Sequence, residues 1–317
     1  MKSAKRFSQC GFSLIELLVA ITVTVLLAGL LITVTSGAIN IWGRSQSNLT
    51  TNSQAKIALD LLVRDLQAAV RSTDTANSFA VDVLSSAALN SHNWRLVDPR
   101  MKPADTISLQ ALANTNVPAD QRISEARFGQ SGIWLRFITT NVETGGSLPT
   151  AVSYQIIRRP VSGTVTGANL APIRYTLYRT KVGNDDTFRN GYDMTSSAYT
   201  DMEDAALADA LCDNVVDFGV WCYAREVDGT LTRLYPDADK DRMFRGFGQA
   251  SAAEANRYPD VVDVMLRVLS ESGAEQLEQI ELGRVSRPPE YTSDDLWWWG
   301  IVNAESRVFT TRVEVGS

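Results

Sequence analysis

Histidine is almost absent from this chain: one residue, His92, in 317. It lies in the polar stretch Asn90-Ser91-His92-Asn93 and reads as a surface side chain, so imidazole-based acid–base chemistry has little to work with. Cysteine is nearly as scarce, at three residues, and one histidine with two distant cysteines does not make a zinc site. No glycine-rich loop of the phosphate-binding or dinucleotide-binding type occurs. Asp237, Asp239 and Asp241 imitate the start of a calcium loop, but the positions such a loop reserves for Gly and Glu hold Arg242 and Gly248. Lys240, Arg242 and Arg245 neutralise those acids, which makes the stretch a solvated turn. An excess of cations is missing too. The formal net charge is −6, which argues against nucleic acid as a partner. The expectation is a chain with no catalytic constellation, no metal and no cofactor, and hence no enzyme.

Charge of either sign is missing from one long run. From Leu17 to Gly43 there is no Asp, Glu, Lys or Arg, and a short basic leader with Lys2, Lys5 and Arg6 precedes it. At about 1.5 Å per residue, ~20 such residues cross a hydrocarbon core of ~30 Å as a helix. Glu16 stands at the head of this run. A carboxylate costs ~2.5–3.5 kcal/mol at mid-bilayer and less near the interface, so an ionisable group placed there points to a function beyond anchoring. The rest of the chain is globular in composition: hydrophobic residues make up 44% of the whole and charged residues 21%.

The stretch Gly11-Phe12-Ser13-Leu14-Ile15-Glu16-Leu17-Leu18-Val19-Ala20 resembles the cleavage and assembly signal of type IV pilins and type II secretion pseudopilins. The resemblance implies that a prepilin peptidase cuts between Gly11 and Phe12 and methylates the new amine on Phe12. It implies that Glu16 is the family's assembly glutamate. Gly11, lacking a Cβ, lets the chain bend into a peptidase cleft. Competing readings explain less. A plain signal anchor accounts for the hydrophobicity and for orientation by the basic leader, but for neither Gly11-Phe12 nor Glu16. A removed signal peptide has a small-x-small site at Ser36-Gly37-Ala38, yet the apolar stretch from Leu17 to Val34 exceeds the ~7–15 residues of such a core. A lipid on Cys10 would sit before the apolar run, not after it.

Beyond the run, Ala55, Leu59, Leu62, Leu66 and Ala69 recur at helical spacing, with Lys56, Asp60, Arg64, Gln67 and Arg71 on the other side. Asp60 and Arg64 are spaced for an i,i+4 pair. Ser72-Thr73-Asp74 reads as the stop. The segmentation is therefore 1–11 leader, 12–43 membrane or fibre-core half of a long helix, 44–72 its amphipathic half, and 73–317 an exported globular domain. Residues 73–130 read as a loop-rich insertion. Strands are expected at 132–138, 151–157, 174–182, 215–223, 259–268 and 306–315, with turn residues at Gly183-Asn184-Asp185-Asp186 among others. A helix is expected at 201–212 and a helical turn at 275–280. The fold class is α+β, a pilin-like fold with one long N-terminal helix followed by antiparallel sheet.

Two features of the domain bear on chemistry. Cys212 and Cys222 flank a continuous strand, whose ends lie too far apart for a disulfide, so two buried thiols are expected unless Gly219 turns the strand back. Trp297-Trp298-Trp299 cannot all face one way on a helix or strand, so at least one should be exposed or cover a loop. A local aromatic core and a partner-binding patch both remain open for this triplet.

Leu62-Val63-Arg64-Asp65-Leu66, Asn214-Val215-Val216-Asp217-Phe218 with Tyr223, Pro259 with Val261-Val262 and Met265-Leu266-Arg267-Val268, and Ser306 to Val313 resemble segments of the minor pseudopilin J family. The chain is longer than ordinary J proteins through residues 73–130 and 283–305, as in longer J-like branches such as the Verru_Chthon cassette proteins. That resemblance implies a structural subunit near a pseudopilus tip that helps to start assembly. Its partners would be a prepilin peptidase, homologues of the minor pseudopilins I, K and H, the major subunit and the inner membrane, with the domain periplasmic. A minor subunit of a type IV pilus or DNA-uptake fibre, and a single-pass anchored periplasmic enzyme or binding protein, are the alternatives.

Overall fold

The computed structural model describes residues 13–71, 76–83, 133–140, 148–161, 172–196, 202, 205–236, 243–247 and 256–316. The chain divides into two units, 1–49 and 50–317, and the boundary falls inside the first helix, α1 (Leu14–Gln67).

In the first unit, α1 carries the uncharged run. Leu14–Ile39 is a 26-residue stretch long and apolar enough to cross a membrane, and none of it is buried against the protein. Three of its threonines satisfy their hydroxyls within the helix. Thr22, Thr24 and Thr33 each donate to a carbonyl three or four residues back, which lets polar side chains sit in an apolar segment.

The second unit is built from two antiparallel sheets. The first has the order β5-β4-β3-β2-β1-β8, from β1 (Asn77–Val83), β2 (Ile133–Thr139), β3 (Thr150–Pro160), β4 (Ile173–Val182), β5 (Ala210–Asp213) and β8 (Met243–Phe247). The second has the order β10-β9-β6-β7, from β6 (Val215–Arg225), β7 (Leu231–Tyr235), β9 (Val261–Leu269) and β10 (Ser306–Glu314). Period-2 patterning decides which faces meet. Leu135 and Phe137, Val152, Tyr154 and Ile156 point from the first sheet into the same core as Val216, Phe218, Val220, Val262, Val264 and Leu266 from the second. Ala55, Ala58, Leu62 and Leu66 of α1 join that core, so the helical stripe is buried as its spacing predicts. The Asp60–Arg64 pair, by contrast, does not close, and both side chains stay exposed.

The chain changes sheets between β5 and β6 at Asn214, whose backbone is left-handed (φ 59°). A short helix α2 (Asn184–Arg189) follows β4, where the sequence suggests only a turn. After β9 come α3 (Glu271–Glu281) and α4 (Asp294–Glu305), each capped by a serine whose Oγ accepts a backbone N–H: Ser270 from Gly273 at 3.0 Å and Ser293 from Leu296 at 3.2 Å. The helices touch closely at glycines. A Cβ on Gly273 would lie 2.6 Å from Glu305 Cβ, and one on Gly300 2.6 Å from the Tyr291 hydroxyl.

Four expectations change. Within the stretch read as a loop-rich insertion, Asn77–Val83 is a strand in the sheet interior, paired to both β2 and β8; residues 84–130, which include His92, lie outside the described residues. The helix expected at 201–212 gives way to β5 at 210–213, because Thr176 and Leu177 of β4 offer a ladder to Asp213 and Cys212. Helix α1 stops at Gln67, before Ser72-Thr73-Asp74. Here the chain joins the end of β2: Val70 N donates to Ile138 O at 2.9 Å, and Thr140 N to Ala68 O at 2.9 Å. At 275–280 there is a full 11-residue helix, α3, instead of a turn. The calcium-like acids Asp237, Asp239 and Asp241 lie outside the described residues.

Both cysteines are free and buried, as expected, and β6 runs straight through Gly219 opposite Met265. Burial pushes the Cys212 thiol up to about 12 and holds the Cys222 thiol well above its ordinary value. Neither is a thiolate at neutral pH. Thiol titration of a Cys10→Ala chain without reductant should therefore find both cysteines after denaturation and neither in the native chain at pH 8. A native chain that reacts at once would contradict their burial.

Candidate functional site

The N-terminal site begins at Ser13, since Gly11 and Phe12 lie outside the described residues. Ser13 and Glu16 satisfy each other at the start of α1. The Glu16 carboxylate accepts the Ser13 backbone N–H at 2.9 Å, and the Ser13 hydroxyl accepts the Glu16 N–H at 3.3 Å. This is a reciprocal capping box, in which two of the orphan donors of the first turn are satisfied. The Ser-x-x-Glu spacing carries that signal in the sequence, although the glutamate stands out there for its charge alone. Glu16 is the only ionisable side chain of Leu14–Ile39, so one residue both caps the helix and puts a negative charge where the apolar segment begins.

At the other end of α1, inside the second unit, a buried carboxylate fixes the helix to the first sheet. Asp65 accepts from Arg179 Nε at 2.7 Å and Nη2 at 3.2 Å, and from the Tyr154 hydroxyl at 2.5 Å, while its backbone carbonyl accepts from Thr139 Oγ1 at 2.9 Å. Burial, then the Asp65 charge, hold the Tyr154 hydroxyl well above its ordinary range, so it stays a donor. The fork of Arg179 on two carboxylate oxygens fixes orientation as well as distance. Helical periodicity places Asp65 on the same side as Leu62 and Leu66, but nothing in the sequence marks it as a clamp.

The tryptophan triplet is not at the surface. Trp297, Trp298 and Trp299 are 5%, 0% and 1% exposed, so of the two readings open for the triplet the burial fits the local aromatic core. They stand on α4, where successive residues turn by 100°, so three in a row need cover over more than half the helix circumference. Trp298 packs edge-on against Tyr175 and against Trp299, with ring centroids at 5.9 and 4.9 Å. Its Nε1 donates to Glu281 at 2.9 Å. Glu281 also accepts from Arg158 Nε at 2.6 Å and from the Tyr175 hydroxyl at 2.5 Å, which joins β3, β4, α3 and α4 at one buried carboxylate. These residues make core. Among the described residues no three His, Cys, Asp or Glu side chains come together as a metal site would require.

Residues 6–32 match the prokaryotic N-terminal methylation motif. No curated protein and no solved structure matches the chain. The motif is that of type IV pilin-like proteins and pseudopilins, and it implies processing by a prepilin peptidase and assembly with other pilin-like subunits. The single apolar helix that follows it fits a single-pass membrane anchor.

Proposed function

We propose that this chain is a structural subunit, most like the minor pseudopilin J, of a type II secretion pseudopilus, and that it has no enzymatic activity. The prepilin peptidase cuts after Gly11 on the cytoplasmic side and methylates Phe12. The segment from Phe12 to Gly43 then holds the subunit in the inner membrane until it enters the fibre, with the domain in the periplasm. The basic leader supports that orientation, since Lys2, Lys5 and Arg6 favour the cytoplasmic side. Homologues of the minor pseudopilins I, K and H and the major subunit are its partners.

One observation carries the reading: a 26-residue apolar helix with no protein cover, opened by a lone carboxylate inside the matched motif. Cover for such a helix must come from lipid or from other helices. The carboxylate gives the second case an electrostatic partner, because leader removal creates a free amine on Phe12 of every subunit. Within one chain that amine is held four residues from Glu16, whose oxygen already caps Ser13; a neighbour's amine can reach it from the side.

Deleting the gene should abolish secretion of type II substrates from the periplasm, and the processed chain should restore it and co-purify with other pseudopilins. Intact secretion with lost piliation or DNA uptake would move the subunit to a type IV fibre.

A further inference from the structure

Among the described residues four strands end the two sheets: β5 and β8 in the first, β7 and β10 in the second. Three are short and irregular. β5 has 4 residues and β7 and β8 have 5 each, and the pairing of each carries a register shift. β10 is different. It has 9 residues and pairs with β9 in one unbroken register, from Ser306↔Leu269 to Glu314↔Val261. Short strands and bulges guard an open edge; a long, even edge presents a row of unpaired backbone donors and acceptors to any strand that fits beside it.

Along this edge lies a groove of about 630 Å³ whose walls are α1 and β10, with no residue of β9. Its apolar lining is Leu59 and Val63 on one side and Val308 and Phe309 on the other. From Arg307 to Thr311 the β10 wall is about 16 Å long at ~3.3 Å per residue, room for an extended stretch of about five residues. The groove is electrostatically unlike the rest of the chain. Lys56 and Arg307 face one acid, Asp60, on a protein of formal net charge −6. The Oδ1 of Asn52, buried at the groove, has no hydrogen-bond partner among the described residues and would accept an incoming N–H.

We propose that this groove takes an extended segment of a different pilin-like subunit, which adds to β10 as a further strand; the proposal rests on the pilin-like reading above. Residues i, i+2 and i+4 of the segment face the groove, an acidic one toward Lys56 and Arg307 and apolar ones toward Leu59, Val63 and Phe309. A second copy of this chain is the poorer occupant. Its own β10 carries two cations, Arg307 and Arg312, and one acid, Glu314, and so brings no acidic face to a groove that already holds Lys56 and Arg307.

The test is site-specific photocrosslinking of the full chain in its native host, together with that host's own pilin-like subunits. A benzophenone amino acid replaces Arg307 or Thr311, with exposed Val285 as the control position. Adducts from 307 and 311 should exceed those from 285 at least tenfold and map to one stretch of about five residues in a single other subunit with a processed, methylated amino terminus. Lys56→Glu, an exposed change on α1, should cut the adduct at 311 at least fivefold without moving Tm. No adduct above the control, adducts only to a second copy, or adducts only to lipid would each overturn the proposal. The chain's own terminus is read in the same sample. A methylated Phe12 without the adduct fells this proposal alone, whereas an unprocessed terminus fells the pilin reading and this proposal with it.

Discussion

Glu281→Ala should destabilise the folded domain by about 3–5 kcal/mol, the cost of breaking a buried ion pair by removing one partner. The carboxylate is 2% exposed and joins four elements through Arg158, Tyr175 and Trp298. Alanine would leave the Arg158 guanidinium, itself 2% exposed, without its anion, and would leave a tyrosine hydroxyl and an indole N–H without acceptors. Burial alone pulls the Arg158 pKa down, and only the charges and hydrogen bonds of Glu281 and Tyr175 together more than reverse it, so removal of the acid leaves a buried cation without its main counterweight. Native domains hold only about 5–15 kcal/mol, so much of the margin would go. Urea unfolding of the chain in detergent, followed by tryptophan fluorescence, reads this as a lower midpoint at constant slope. Glu314→Ala is the control. It removes a pair with Arg225 whose side chains are 46% and 79% exposed, and such pairs contribute about 0–1 kcal/mol. Equal small shifts for both variants would mean that the buried network does not hold the folded chain together.

Glu16→Val should leave membrane insertion intact and reduce incorporation into a fibre or tip complex at least tenfold. Insertion improves because a charge leaves the apolar segment and a residue worth about −0.3 to −0.6 kcal/mol at a helix centre replaces it. Residues 50–317 should fold as before, since that unit is compact by itself and keeps its own clamp at Asp65. The variant removes two things at once, the charge and half of the capping box. Glu16→Gln separates them: glutamine still reaches the Ser13 N–H but carries no charge. Co-purification with partner subunits from detergent extracts, alongside secretion of a reporter, decides between them. Glutamine as weak as valine assigns the effect to charge, and glutamine at wild-type level assigns it to the cap. Wild-type assembly with valine would remove the role given to Glu16.

The parts legible in the sequence are those where one periodicity dominates. Ala55 to Ala69 repeats at helical spacing, and Val261 to Val268 is a β-branched run, and both elements form where the pattern puts them. The methylation motif and the charge-free run are legible for the same reason: each is a local requirement that no tertiary contact can override. What escaped was set by partners distant in sequence. β1 is only Asn77–Val83, set in a polar neighbourhood, and its identity comes from pairing with β2 and β8, whose partner residues lie 50 or more positions away. β5 forms because β4 offers an edge, although Asp201 to Cys212 alone favours helix. The triplet at Trp297 looks like a surface anomaly until α3, Tyr175 and Tyr291 are in place around α4. Asp65 and Glu281 are ordinary helix acids by sequence, and only the arginines of β3 and β4 make them buried anchors.

The amino terminus of the mature chain is the most direct measurement. Co-expression with a prepilin peptidase, followed by intact mass and N-terminal sequencing, should yield a chain that begins at Phe12 and carries one methyl group on its amine. A chain that begins at Ile39, cut by signal peptidase after Ala38, or one that keeps its leader under those conditions, would contradict the assignment.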